Sequence, residues 1–94
     1  MINSKTLIKN GFVDDKKIIR AWESFTGWYW LATEKAYTQE SIINGKTYQD
    51  TIWFGFVIGH FPEWGYFSQK ELELLKPQIW EVKDLDLTSI SKEA

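Results

Sequence analysis

TIWFGFVIGHFPEWGYFSQKELELL, from Thr51 to Leu75, decides how the rest of the chain is read. Ile52 to Ile58 is nearly continuous apolar sequence and predicts a central buried strand. Gly55 inside it signals a bulge or the close approach of a bulky neighbour, with an aromatic ring expected there. Gly59-His60-Phe61-Pro62 reads as a turn, and Trp64 to Phe67 as the following strand. Ser68-Gln69-Lys70-Glu71 fits a capping box, with Ser68 as N-cap and Glu71 three positions on. Leu72 and Leu75 supply the buried stripe of that helix, which Pro77 prevents from continuing.

Outward from this stretch, Asn44-Gly45 between Ile42-Ile43 and Thr47-Tyr48 specifies a two-residue type I′ hairpin turn. That turn sets Ile43 against Lys46 and Ile42 against Thr47, and makes Thr38 to Asp50 a polar arm beyond the core, mobile or held by a partner. Trp28 to Lys35 is bulky on both faces, as in a strand covered on both sides. Ile18 to Phe25 predicts another strand, with Ile19, Ala21 and Phe25 on its apolar parity, and Thr26-Gly27 turns the chain. Ile79 to Leu87 alternates without a wholly apolar face and suits a sheet edge. At the N-terminus, Ser4 caps a short helix over Lys5 to Lys9, ended by Asn10-Gly11 and buried through Leu7 and Ile8. Asp14 to Lys17 reads as a charged turn, and residues 89–94 as a frayed tail. The sum is an α+β fold, a four- to five-stranded antiparallel meander with two short helices and a protruding hairpin around Asn44-Gly45.

The chain has 94 residues, enough for one domain spanning 1–94, and its 44% apolar and 17% aromatic content is that of a globular chain. It has no cysteine, which excludes disulfides and thiolate metal sites. Small secreted domains without disulfides are uncommon, and no apolar run reaches signal-peptide or membrane-spanning length, so the expected location is the cytoplasm, with no membrane partner. Eleven basic and thirteen acidic side chains give a net charge of −2 without a basic stripe, which argues against a nucleic-acid partner.

With the elements placed, WFGFVIGHFPEWGYFSQKELE resembles a family of small proteins described only as a domain of unknown function. Its members carry an FFGLV-G-x-E-x-E-x-GYFSL-x-EL pattern and occur in phages, plasmids and integrative elements of bacteria. GWYWLATE, Gly27 to Glu34, is similar to the family's W-x-WYATE segment, and WEVKDLDLTSI, Trp80 to Ile90, to its C-terminal ERDLYF-x-P strand. The Asn44-Gly45 arm is longer than the family's usual connection, and Gln69 stands where an apolar residue is usual. The resemblance implies a compact β-rich domain from a mobile element, and transfers no catalytic residue.

Candidate chemistry is thin. His60 and Glu63 are three apart, but they sit in a Pro-containing turn without a second histidine, so no metal site is assigned. Glu34 and Glu63 form an acid/base pair only if their strands adjoin, and Glu34 is expected to cap a backbone donor or to pair with Lys35 or Arg20. Ser68 has no matching histidine, and Gly55, Gly59 and Gly65 do not form a phosphate loop. The expectation is therefore no catalytic residue, no cofactor and no enzyme.

Six tryptophans, however, exceed what so small a core needs, since Trp22, Trp28, Trp30, Trp53, Trp64 and Trp80 cannot all be central. Exposed rings would anchor a protein partner, and His60, Glu63, Trp64, Trp28 and Trp30 are the candidate binding residues. The functional expectation is a non-enzymatic accessory protein of a phage or mobile element that binds a host or element-encoded protein. Inhibition of a host defence system is its specific form, and a self-complementary homodimer face its variant. The alternative is a module that stacks single-stranded nucleic acid or carbohydrate on exposed aromatics.

Overall fold

Asn44 and Gly45 both adopt the left-handed backbone conformation, with φ of 53° and 80°, as a type I′ turn requires. They join the two longest strands of the fold. The computed structural model describes residues 7–9, 11–82 and 92–93, and these contain β1 (Leu7–Lys9), β2 (Phe12–Val13), β3 (Lys16–Lys17), β4 (Arg20–Ser24), β5 (Tyr29–Ile43), β6 (Lys46–Ile58), β7 (Pro62–Ser68), α1 (Gln69–Glu73), β8 (Ile79–Val82) and β9 (Lys92–Glu93). The main sheet has strand order β7-β6-β5-β4-β8 and is antiparallel throughout, so β4 to β7 form the expected meander. Ile43 faces Lys46 and Ile42 faces Thr47, as the turn dictates.

β8 flanks β4 at the sheet edge, where alternating polarity placed it. The remainder of the Ile79 to Leu87 segment lies outside the described residues.

The pairing of β5 with β6 slips at two points, between Ala32 and Glu34 and between Lys35 and Tyr37. Thr33 and Ala36 are therefore bulge residues, and the first slip adjoins Gly55, which pairs with Ala32. A side chain at Gly55 would collide with the carbonyl oxygen of Leu31 and lie 2.8 Å from the Ala32 Cα. The close neighbour is thus the backbone of a bulged strand and not an aromatic ring, because the bulge drives β5 towards β6. The ring contact occurs four residues later, where the Trp28 indole lies against Gly59.

Two apolar clusters lie on opposite faces of the main sheet. Ala21, Leu31 and Phe56 form one cross-strand row and pack against Ile8, Val13 and Ile18. Trp22, Ala32, Trp53 and Ile79 form the other cluster with Leu72 of α1. The first cluster is covered by a small sheet, β3-β2-β1-β9, that the sequence did not announce. Its presence corrects the expectation for the N-terminus: Leu7–Lys9 is a strand, because Gly11 (φ 82°) reverses the chain and sets Ile8 against Val13 instead of ending a helix. Residues 5 and 6 of the expected helix lie outside the described residues, and so does most of the expected tail, although Lys92 and Glu93 pair with β1.

Two further expectations change. Ile19 and Phe25 are exposed, because β4 begins only at Arg20 and Phe25 falls in the turn that returns to Trp28. Leu75 is also exposed, because α1 ends at Glu73 and leaves Leu72 as its buried residue. Ser68 caps α1 as expected, accepting from the Glu71 amide at 3.1 Å. Among the described residues, no helix is long and apolar enough to cross a membrane.

Candidate protein-interaction surface

The pleat divides the five candidate binding residues, His60, Glu63, Trp64, Trp28 and Trp30. Trp30 of β5, Val57 of β6 and Glu63 of β7 form one row across three strands, on the sheet face that carries α1. Trp28 joins that row with its ring 5.9 Å from Trp30, and the His60 imidazole meets Trp28 edge-on at 5.2 Å. His60, Glu63, Trp28 and Trp30 thus gather at one end of the helix face, with His60 and Glu63 exposed and the two indoles half-buried. Trp64 follows Glu63 in a strand and so points to the opposite face, where it packs against Phe56 at 5.2 Å. Among the described residues no group of three or more His, Asp or Glu side chains is placed to hold a metal ion. Glu34 and Glu63 do not converge either, since Glu34 pairs with Phe54 on the Trp64 face and Glu63 with Val57 on the other.

The face that carries Trp64 holds the larger aromatic array. Phe54 stacks on Trp64 at 5.8 Å with the ring planes 15° apart, Tyr66 meets Phe54 at 5.0 Å, and Tyr37 lies 6.4 Å from Tyr66. Four rings on three adjacent strands therefore run in unbroken contact, from the edge of the small sheet towards the arm. The inner end, Trp64, packs on the core beneath the small sheet, while Tyr37 and Tyr66 are 50% and 66% exposed. Part of this series is legible as i, i+2 spacing, in Phe54/Phe56 and Trp64/Tyr66. Tyr37 is not, because its side is set by the two bulges that precede it.

Ion pairs of Arg20 with Glu81 and of Lys70 with Glu73 lie around α1. Arg20 forms a two-pronged ion pair with Glu81 at 2.7 and 2.8 Å, and its guanidinium lies over Trp22 and Trp53 at 5.1 and 5.5 Å. The hydrogen bonds that Arg20 donates to Glu81 raise its pKa further. Arg20 is therefore taken by Glu81 and not by Glu34, because β8 lies beside β4 and presents Glu81 across from Trp22. Gln69 accepts from the Trp53 indole N–H at 2.9 Å and donates to Glu73 at 2.7 Å, and that donation holds the Glu73 carboxyl below its ordinary pKa. A cleft of about 260 Å³ between Trp22, Leu72, Ile79 and Trp80 is bordered by these already paired carboxylates.

Among the described residues Asp50 is the buried charged one, 4% exposed at the base of the arm. Its carboxylate accepts from Ser41 Oγ at 2.6 Å, from Ser68 Oγ, from the Lys70 amide at 2.9 Å, and from the Thr51 amide. Burial pushes its pKa up, and these hydrogen bonds together outweigh burial and hold it below the ordinary carboxylate range. The arm expected to be mobile or partner-held is tied at its base to the N-terminus of α1 by this residue.

Comparisons with protein-family models, with curated proteins and with solved structures return no match for this chain.

Proposed function

We propose that this chain is a non-enzymatic protein-binding domain and that it docks a host or element-encoded protein through the Tyr37–Tyr66–Phe54–Trp64 series. The observation that carries the reading is the continuity of four rings, of which Tyr37 is half and Tyr66 two-thirds exposed. Tyrosine and tryptophan bury large area at low entropy cost and are enriched where binding energy concentrates. Rings anchored at one end in a core are also held in place before a partner arrives, which removes part of the ordering cost of binding. Within the resemblance to mobile-element proteins, the role is that of a cytoplasmic accessory protein, with inhibition of a host defence system as its specific form.

Stacking of single-stranded nucleic acid on the same rings is the less favoured reading. Neither Thr47 to Ile58 nor Pro62 to Ser68 contains a lysine or arginine, and Glu34 stands beside Phe54 on the ring face. The test is affinity capture from the native host with the wild-type chain and with a Tyr37→Ala/Tyr66→Ala variant. Both substitutions fall on exposed rings, so folding should be retained by circular dichroism while the partner is lost. Equal recovery of that partner by the variant would overturn the proposal.

A further inference from the structure

β4 pairs with β5 only as far as Arg20↔Ala32. From residue 34 to residue 42, β5 has β6 on one side and no strand of the described residues on the other. An open edge of this length is a template for another strand. Its side chains stand clear: Glu34, Lys35, Tyr37, Thr38, Gln39, Glu40 and Ile42 are all exposed. Lys35 and Glu40 have opposite charge, and neither is ion-paired to a described residue. They also share a face, since they pair with Trp53 and Gln49, which lie on one parity of β6, as does Thr51, the partner of Thr38.

We infer that this edge pairs antiparallel with the same edge of a second copy, about a two-fold axis through Thr38. In that register Thr38 faces Thr38, Tyr37 faces Gln39, and Glu40 faces Lys35, with the Ala36 bulge taking up the extra residue. Ser41 then faces Glu34. Every pair lies on one pleat face, as an antiparallel ladder demands, and symmetry makes the Lys35–Glu40 contact twice. The neighbouring in-phase registers lack this match. Centring on Tyr37 sets Lys35 against Thr38, centring on Gln39 sets Lys35 against Ile42, and centring on Glu40 sets that carboxylate against its own copy. Bulges and edge charges are the means by which sheets avoid indiscriminate pairing, and here they leave one register with complementary charge.

The strand pair stops at Ser41 against Glu34, because the next position, Ala32, is taken by Arg20 and its carbonyl accepts from the Ile19 amide, so the hairpin tip of each copy bends out of the sheet ahead of β4 of the other. The same arrangement places the two ring series on one side of a ten-stranded sheet, with Tyr37 of each copy next to the axis. An interface of one strand pair is small, so dimerisation is concentration-dependent. It requires only the β5 edge and stands or falls independently of the partner-binding proposal.

The test is sedimentation equilibrium from about 1 μM to about 1 mM protein. The apparent mass should rise from 11.1 kDa towards twice that value. Lys35→Glu and Glu40→Lys should each weaken the dimer roughly tenfold or more, because each converts two attractions into two repulsions. The double variant Lys35→Glu/Glu40→Lys should restore it. Thr38→Cys, in a chain without cysteine, should cross-link rapidly under mild oxidant, because residues facing on the axis lie within disulfide reach, whereas Glu71→Cys on α1 should not. A mass of 11.1 kDa throughout, a double variant as monomeric as the single ones, or equal cross-linking at both cysteines would overturn the inference. A dimer indifferent to the charge variants would overturn it too, and would put the interface elsewhere.

Discussion

Gly55 and Gly65 face each other across β6 and β7, and the structure assigns them opposite responses to the same substitution. A methyl group on Gly55 meets the Leu31 carbonyl and lies 2.8 Å from both the Leu31 carbonyl carbon and the Ala32 Cα. All three atoms are backbone, so relief requires β5 to move away from β6 at the point where Leu31 and Ala32 are fully buried. Losing about two ladder hydrogen bonds at ~1 kcal/mol each, plus ~1–3 kcal/mol of packing strain, predicts a cost of about 3–5 kcal/mol for Gly55→Ala. A domain of this size has on the order of 5–10 kcal/mol to lose, so the variant should unfold roughly 15–30 °C lower. At Gly65 a methyl group meets nothing within 4 Å, and the backbone is not left-handed. Gly65→Ala should therefore raise stability by about 0.4–1 kcal/mol, through the entropy of the unfolded chain. Urea unfolding followed by tryptophan fluorescence, with a thermal melt by circular dichroism, measures both. A Gly55→Ala variant within 1 kcal/mol of wild type, or a Gly65→Ala variant equally damaged, would show that the bulge does not press β5 on β6 as described.

Three further outcomes follow from the polar contacts. Asp50→Ala should cost about 2–4 kcal/mol and Asp50→Asn less, since the carboxylate accepts two hydroxyl and two amide donors and one amide oxygen replaces part of that set; hydrogen exchange should show the arm opening more readily in the alanine variant, and unchanged arm protection would count against the clamp. Because the folded-state pKa of Asp50 is depressed, its contribution is present above the ordinary carboxylate pKa of about 4 and is lost as the pH falls from there through the folded value, so Asp50→Ala should flatten the acid limb of a stability–pH curve. Arg20→Lys keeps the charge but loses the fork to Glu81 and the stacking over Trp22 and Trp53, and should cost about 1 kcal/mol by urea midpoint; a midpoint equal to wild type would reduce the pair to an ordinary surface contact.

The expected elements that survived were those governed by neighbours in the chain. Asn44-Gly45 produced its turn and register, Ser68 produced its cap, and the apolar run from Ile52 to Ile58 produced a central strand. Leu7–Lys9 departs from the expected helix because Gly11 serves equally as a helix terminator and as a hairpin turn, and the strand partner that decides between them, Val13, contributes nothing to local propensity. The candidate site divided along the same line. Trp28, Trp30, His60 and Glu63 come together, but Trp64, although adjacent to Glu63 in sequence, does not, because a strand points successive residues to opposite faces.

By itself the sequence determined the Asn44-Gly45 turn, the Ser68 cap, the strand-rich meander and an aromatic surplus larger than the core absorbs. Each of these is decided within a few residues or by composition. Only the tertiary structure decided the second sheet over Leu31 and Phe56, the bulges at Thr33 and Ala36, the choice of Glu81 as the partner of Arg20, and the clamp of Asp50 on α1. These depend on which strands lie side by side. A one-residue slip in that pairing turns every following side chain to the other face, so the same rings could have been buried in a core or, as Tyr37 and Tyr66 are, presented to a partner.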